Sequence, residues 1–145
     1  MPAQSGTAVG ALRALLVAAG EHLCAIPVNQ VRRVVRALPV HPLPGGAPEL
    51  LGLAEFAGEP IPMLDLGWLV NAPPGARPVA PVTVVAWVGP PDSRELVGLA
   101  ADAALEIVEI APAEVISSGT GPLCGETTVA GRSVRVLNLE TLGGQ

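Results

Sequence analysis

Lysine and tyrosine are missing altogether from this chain of 145 residues. All eight basic residues are arginine, set against thirteen acidic ones, for a formal net charge of −5. That balance excludes the basic surface on which nucleic-acid binding leans. With so much alanine, glycine and proline alongside, the missing lysine reads as a genome's codon bias rather than a functional selection. Aromatics are almost as scarce, one Phe and two Trp, so Val, Leu, Ile and Ala must fill any core. Half of the residues are hydrophobic, enough for one domain or for two subdomains sharing a core. Long apolar runs are missing too. The stretch Ala11 to Ala19 contains Arg13 and is too short to span a bilayer. It lacks the basic n-region of a signal peptide, and the expectation is a soluble, cytoplasmic protein without membrane insertion.

Reactive chemistry is equally sparse. The two cysteines, Cys24 and Cys124, lie one hundred residues apart, and neither belongs to a CxxC or Cys/His cluster. Their apolar neighbours predict buried thiols that pack as small hydrophobes. No glycine-rich phosphate loop occurs, and the glycines fall at turns. His22 and His41 have no nucleophile at a recognisable spacing and read as surface residues. Ser117-Ser118 has no nucleophile elbow around it. The carboxylates scatter along the chain as on a solvated face. No catalytic, cofactor-binding or metal-ligating residue is therefore assigned, and an enzyme is not expected.

What the chain does have is a repeat. Gly52 to Leu66 and Gly125 to Leu139 both follow the pattern G-x5-G-x6-[D/N]-L at an offset of 73 residues. Leu50/Leu123, Ala57/Ala130 and Leu64/Leu137 are identical, and the same offset aligns Leu23 with Leu96, Ile26 with Leu99 and Pro39 with Pro112. Self-similarity at a fixed period means that the architecture repeats. A period of half the chain means two copies of one small β module. The halves run roughly over 11–70 and 79–142, within a single domain of 1–145. Residues 1–10 are expected to fray, and 71–78, eight residues with three Pro, read as the linker.

Taken in order, Leu12 to Ala19 is ambiguous, because Ala and Leu favour helix. Gly20-Glu21-His22 predicts a tight turn into a strand at Leu23–Ile26. Pro27 to Val31 suits one helical turn with proline at an early position. Arg32 to Arg36 reads as a strand, and the Pro/Gly-rich stretch after it as a loop. Leu50 to Phe56 and Ile61 to Leu66 form a hairpin around Ala57-Gly58-Glu59, where Gly58 and Gly131 suit a positive φ. Pro60 and Pro62 cannot donate ladder hydrogen bonds, which predicts an edge strand or a bulge. In the second copy Ser133 and Arg135 replace them, so that strand can pair more fully. Asp65 and Asn138 suit N-caps, and the uncharged twin argues against a catalytic Asp65. Val82 to Val88 and Glu95 to Ala101 read as strands. Asp102-Ala103-Ala104 is expected to repeat the helical turn, before a strand over Glu106 to Ile110. Short strands at regular spacing point to small barrels.

One charge pattern stands out. The offset sets Arg33 against Glu106 and Arg36 against Glu109, so equivalent strands carry opposite signs. Two solvated strands that drifted apart would explain this. So would complementary docking between module one of one protein and module two of another.

These segments, in this order and spacing, resemble the CheW-like family of chemosensory adaptor domains from about Ala14 to Leu142. The resemblance rests on Cys24-Ala25-Ile26-Pro27-Val28 with Val31, on Pro42-Leu43-Pro44, and on Leu51-Gly52 through Gly58 to Leu66. The second half adds Val97 to Asp102, Leu105 to Val108, and Leu137-Asn138-Leu139 with Leu142. It implies an all-β fold with short helices, two SH3-like five-stranded barrels packed around a shared core. It further implies a non-enzymatic adaptor at cytoplasmic chemosensory arrays, with no cofactor. Its partner would be the tip of a methyl-accepting chemoreceptor, with the regulatory domain of a histidine kinase or another CheW-like domain as further partners.

Carried over by position, the receptor groove would use Val31, Arg33 and Val82 with the turn Phe56-Ala57-Gly58. Two departures from the family follow. Where the family usually reads Asn-Leu-Arg-Gly, this chain has Glu55-Phe56-Ala57-Gly58, so a charged hydrogen bond of about 1.5–3 kcal/mol is lost. Arg33 stands where the family often has Glu. The connection from Ile116 to Gly125 is also several residues shorter than usual. If that segment docks the kinase, this chain binds receptors without ordinary kinase coupling, like the reduced adaptors of gliding bacteria. A full receptor-to-kinase coupling scaffold is the alternative. A small-ligand sensor or enzyme in the inter-barrel cleft is a third reading, without residues that ask for it.

Overall fold

Leu12–Ala19 is a strand, β1, although its composition also suits a helix. Its neighbours decide the matter. It pairs antiparallel with His22–Pro27 (β2) on one side and with Ala103–Ile110 (β8) on the other. A strand enclosed on both sides reads as a short apolar run, which composition cannot tell from a buried helix. The computed structural model describes residues 12–70, 81–117 and 123–141. The N-terminal ten residues, the 71–78 linker and 118–122 of the shortened connection lie outside the described residues.

After β2 comes the expected helical turn, a 3₁₀ turn over Val28–Gln30. Val31–Arg36 (β3), Leu50–Phe56 (β4), Glu59–Asp65 (β5) and the four-residue helix Leu66–Leu69 (α1) complete the first half. The second half holds Val82–Val88 (β6), Glu95–Ala101 (β7), β8, the two-residue Ile116–Ser117 (β9), Leu123–Val129 (β10) and Arg132–Leu137 (β11). The helical turn expected at Asp102–Ala104 is not there, because Ala103 already opens β8. Asp102 is occupied elsewhere: its carboxylate accepts from the Gly20 N–H, and its own N–H donates to the Ala18 carbonyl at 2.8 Å. Those two bonds hold the chain extended against the β1–β2 hairpin.

The strands form two sheets, in the orders β3-β6-β7-β5-β4 and β8-β1-β2-β11-β10-β9. Read position by position, the two orders are the same, with each strand replaced by its counterpart in the other repeat and β9 added. Leu15 faces Ile26, and Val84 faces Leu99, at equivalent places in the two hairpins. The repeats have therefore exchanged hairpins. β1–β2 of the first repeat sits in the sheet of β8, β10 and β11, and β6–β7 of the second sits between β3 and β5. Each exchanged hairpin is joined on one side by a parallel ladder, Met63–Asp65 on Gly98–Ala100 and Val134–Val136 on Leu23–Ala25. On the other side an antiparallel ladder joins it, β6 on β3 and β1 on β8.

The paired glycines of the repeat now have a physical explanation. At Gly52 the connection after β3 crosses β4, where His41 and Leu53 exchange N–H···O bonds of 2.8 and 3.0 Å. A Cβ on Gly52 would lie 2.2 Å from the His41 carbonyl oxygen, and its φ is +148°. At Gly125 the same crossing is made by β9, and a Cβ would lie 2.9 Å from the Ile116 carbonyl oxygen. The second glycine of each pair serves a hairpin. The turn is Ala57-Gly58 alone, with Glu59 already in β5, and both turn residues have positive φ, 53° and 82°. Ala130-Gly131 repeats it at 51° and 79°. Positive φ at both central residues is the I′ geometry whose twist matches the flanking strands.

Pro60 and Pro62 mark neither the edge strand nor the bulge that their missing N–H groups predicted. The register shift in their ladder with β4 falls at Leu50/Gly52, beyond them. β5 is interior and β4 is the edge. The prolines are tolerated because the β7 ladder begins only at Met63, beyond them. In the second repeat the ladder starts at Val134 and includes Arg135, the counterpart of Pro62. Asp65 caps α1 as expected, accepting from the Gly67 N–H at 3.0 Å, and Asn138 accepts from the Glu140 N–H at 3.0 Å.

The main core draws on both repeats, with Val17, Cys24, Ile26 and Leu66 packed among Val84, Leu99, Leu137 and Leu139. A polar latch crosses the same junction. Gln30 donates to the Asn138 side chain at 3.0 Å, and its carbonyl accepts from the Leu139 N–H at 2.9 Å.

Cys24 is a free, fully buried thiol, and burial pushes its pKa up to about 12, the nearby Arg135 opposing the rise. The side chain of Cys124 lies outside the described residues. Because the folded pKa of Cys24 exceeds the unfolded value of 9.0, its contribution to stability is complete below pH 9 and is lost as pH rises toward 12. Within that window stability is expected to fall by about 1.4 kcal/mol per pH unit beyond the loss in a Cys24→Ala control. Urea titrations of both proteins at pH 8, 9.5 and 10.5 check this, and parallel curves would refute it.

Candidate functional site

A strand at the end of a sheet leaves one row of N–H and C=O groups without a ladder, and proteins guard such edges with charge. β3 and β8 are equivalent edges, each bonded to one neighbour only among the described strands. Both carry the same bulge. The register skips Arg32 in β3 and its counterpart Leu105 in β8. A bulge re-aims side chains and increases local twist. On β3, Arg32, Arg33 and Arg36 are exposed, with Val34 at 41% exposure between them. On β8, Glu106 and Glu109 are exposed beside Leu105 and Ile107, at 48% and 51%. The opposite charges read from the sequence thus lie on two equivalent edges, one basic and one acidic, each with apolar side chains among its charges.

The expected groove residues divide into two groups. Val31, Arg33 and Val82 lie on neighbouring strands, for β3 pairs with β6. Val31 faces Ala86, half-buried against the main core, and Arg33 faces Val85 from an exposed position. Val82 faces Arg36, so Val31 and Val82 stand at opposite ends of this ladder. Phe56, Ala57 and Gly58 belong to the β4–β5 hairpin, and β4 is the far edge of the same sheet. No described ladder joins that turn to β3 or β6. Phe56 is half-buried, while Ala57 and Gly58 are exposed.

Arg32 and Val34, and Leu105 and Ile107 on β8, complete the two edges and were not among the expected site residues. Their only trace in the sequence is apolar residues alternating with charges in a strand that should be half buried. Trp68 on α1 is a further exposed apolar side chain, at 53%. Among the described residues no three His, Cys, Asp or Glu side chains are grouped to hold a metal ion. No helix among them is long and apolar enough to cross a membrane. Paired β edges of opposite charge suit protein docking rather than bond-making chemistry.

The sequence matches the family model described as CheW-like domain over residues 13–144. The chain belongs to the CheW-like domain family. Among solved structures it is similar to the scaffolding protein TtCheW from Thermoanaerobacter tengcongensis. The two share 16% identity at a TM-score of 0.71, over 88% of this chain and 89% of that one. No curated protein matches the sequence. The structural likeness supports the fold of two SH3-like subdomains, and the family match places the chain among scaffold and adaptor domains of chemotaxis signalling. Proteins of the CheW family couple chemoreceptors to a kinase and are scaffolds rather than enzymes.

Proposed function

We propose that this CheW-like domain is a non-enzymatic adaptor that binds the cytoplasmic tip of a chemoreceptor. The observation that carries the reading is the family match, which spans all but one of the described strands in full and begins inside β1. The receptor face is the β3–β6 surface, with Val31, Arg33 and Val82, together with the Phe56-Ala57-Gly58 turn. Alanine at position 57 removes the charged donor usual there, and Arg33 presents a cation instead. The shortened 116–125 connection supports an accessory role without ordinary kinase coupling.

The β8 edge favours a second reading, a full coupling scaffold. Leu105, Ile107, Glu106 and Glu109 offer a second docking face, suited to the kinase regulatory domain or to the basic edge of another CheW-like domain. Binding of the purified protein to a receptor signalling fragment and to the kinase regulatory domain separates the two readings. Receptor binding alone is the expected result, and kinase binding would establish the coupling scaffold. Val82→Glu and Arg33→Glu are expected to weaken receptor binding about tenfold or more, with melting temperatures close to the parent. Val31→Glu should do the same, at some cost in stability because Val31 packs on the core. Unchanged receptor binding in all three would remove this surface from the assignment.

A further inference from the structure

A cavity of about 360 Å³ opens beside the parallel ladder of β2 and β11, where the two repeats are joined. Glu21 and His22 of the first repeat face Glu126, Arg132, Ser133 and Arg135 of the second across it. Arg135 is anchored, one guanidinium nitrogen donating to the Val70 carbonyl at the end of α1. A guanidinium has five N–H donors in a rigid fork, so most of them remain available in an orientation set before any ligand arrives. The other five polar side chains form no hydrogen bond or ion pair with one another among the described residues.

The scaffold alone does not impose this lining. At the equivalent positions of the first repeat, Glu59, Pro60 and Pro62 replace Arg132, Ser133 and Arg135, and Leu53 replaces Glu126. None of those four side chains is a hydrogen-bond donor. Arg94 and Glu95 stand where Glu21 and His22 do, so the first sheet offers a single guanidinium there and only the second offers two.

Charge and size narrow the ligand. Two guanidinium and two carboxyl groups line the cavity, Glu126 directly across the ladder from Arg135, so a dianion would meet repulsion and attraction together. A zwitterion finds a complementary partner for each end. The volume is at the low end for ligand pockets, which suits a small molecule. We propose that this cavity binds a small zwitterion of the α-amino-acid class, its carboxylate on Arg132 and Arg135 and its ammonium on Glu21 and Glu126. This site is separate from the receptor face and does not depend on that assignment.

Thermal melts of the intact protein with each of the twenty common amino acids at about 10 mM test the proposal, with inorganic phosphate, acetate and ammonium chloride as separate arms. At least one amino acid is expected to raise the melting temperature by about 3 °C or more, and the three simple ions are not. Arg132→Ala and Glu126→Gln alter exposed side chains. Each should abolish the shift while leaving the ligand-free melt within about 2 °C of the parent. The proposal is overturned if no amino acid shifts the melt, if phosphate or acetate does so equally, or if either variant keeps the full shift.

Discussion

Gly52→Ala is expected to destabilise the protein by about 3 kcal/mol or more, while Gly58→Ala, six residues on, costs about 1 kcal/mol. Both glycines belong to the repeated motif and both have positive φ, +148° and +82°. They differ in what surrounds them. A Cβ on Gly58 meets nothing within 4 Å, so only the backbone preference is lost. A Cβ on Gly52 meets the His41 carbonyl carbon at 2.8 Å and the Pro42 Cα at 2.9 Å, in addition to the carbonyl oxygen. These are backbone atoms and have no rotamer by which to escape. Relief requires the crossing connection to lift off β4, which breaks the paired His41–Leu53 hydrogen bonds. Urea denaturation of the two variants measures the contrast. Equal costs would mean that the crossing yields easily and that the glycine serves backbone freedom alone.

Severing the chain within residues 71–78 is expected to leave two fragments that do not fold alone but recover the native fold when mixed in equal amounts. The N-terminal fragment would hold β3, β4 and β5 without β6 and β7, which lie between them in the sheet. Its β1–β2 hairpin would lack β8 and β11 on either side. The C-terminal fragment has the complementary gaps. An isolated two-stranded hairpin is marginal in water, and each fragment would expose apolar residues that the intact core shares, such as Ile26 and Leu99. The loss is the whole of the folding free energy, on the order of 5–15 kcal/mol for a domain of this kind. Amide dispersion in proton–nitrogen correlation spectra, recorded for each fragment and for the mixture, gives the answer. Cooperative folding of either fragment alone would show that a repeat can complete its own sheet.

Much of this was legible in the sequence because it depends on near neighbours. The hairpins and the positive φ of Gly58 and Gly131 follow from the turn sequences, and the caps from Asp65 and Asn138 with the residues just after them. Glu59 falls in β5 rather than in the expected turn, and the positive φ of Ala57 and Ala130 was not foreseen. β6 and β7 match their expected limits because β-branched residues and flanking turns mark them. Other features were not legible. Leu12–Ala19 could be resolved only by the two strands that enclose it. Pro60 and Pro62 excluded ladder donation at their own positions, yet could not tell how far along β5 the next strand would reach. The opposite charges of β3 and β8 were legible as a pattern, while the bulges at Arg32 and Leu105 left no local mark. The cavity of Arg132 and Arg135 needs Glu21 and His22 from more than one hundred residues away.

The sequence alone determined that the protein is a duplicated all-β chain with two positively twisted hairpins, a shared apolar core and oppositely charged equivalent strands. These are properties of periodicity, φ preference and side-chain polarity, which the chain carries wherever it goes. Only the tertiary structure decided which repeat completes which sheet. The parallel ladders that exchange the hairpins join residues such as Leu23 and Val134, and Met63 and Gly98, far apart along the chain. Backbone hydrogen bonds are the same for every residue but proline, so the choice of partner is made by the core that both repeats must bury together.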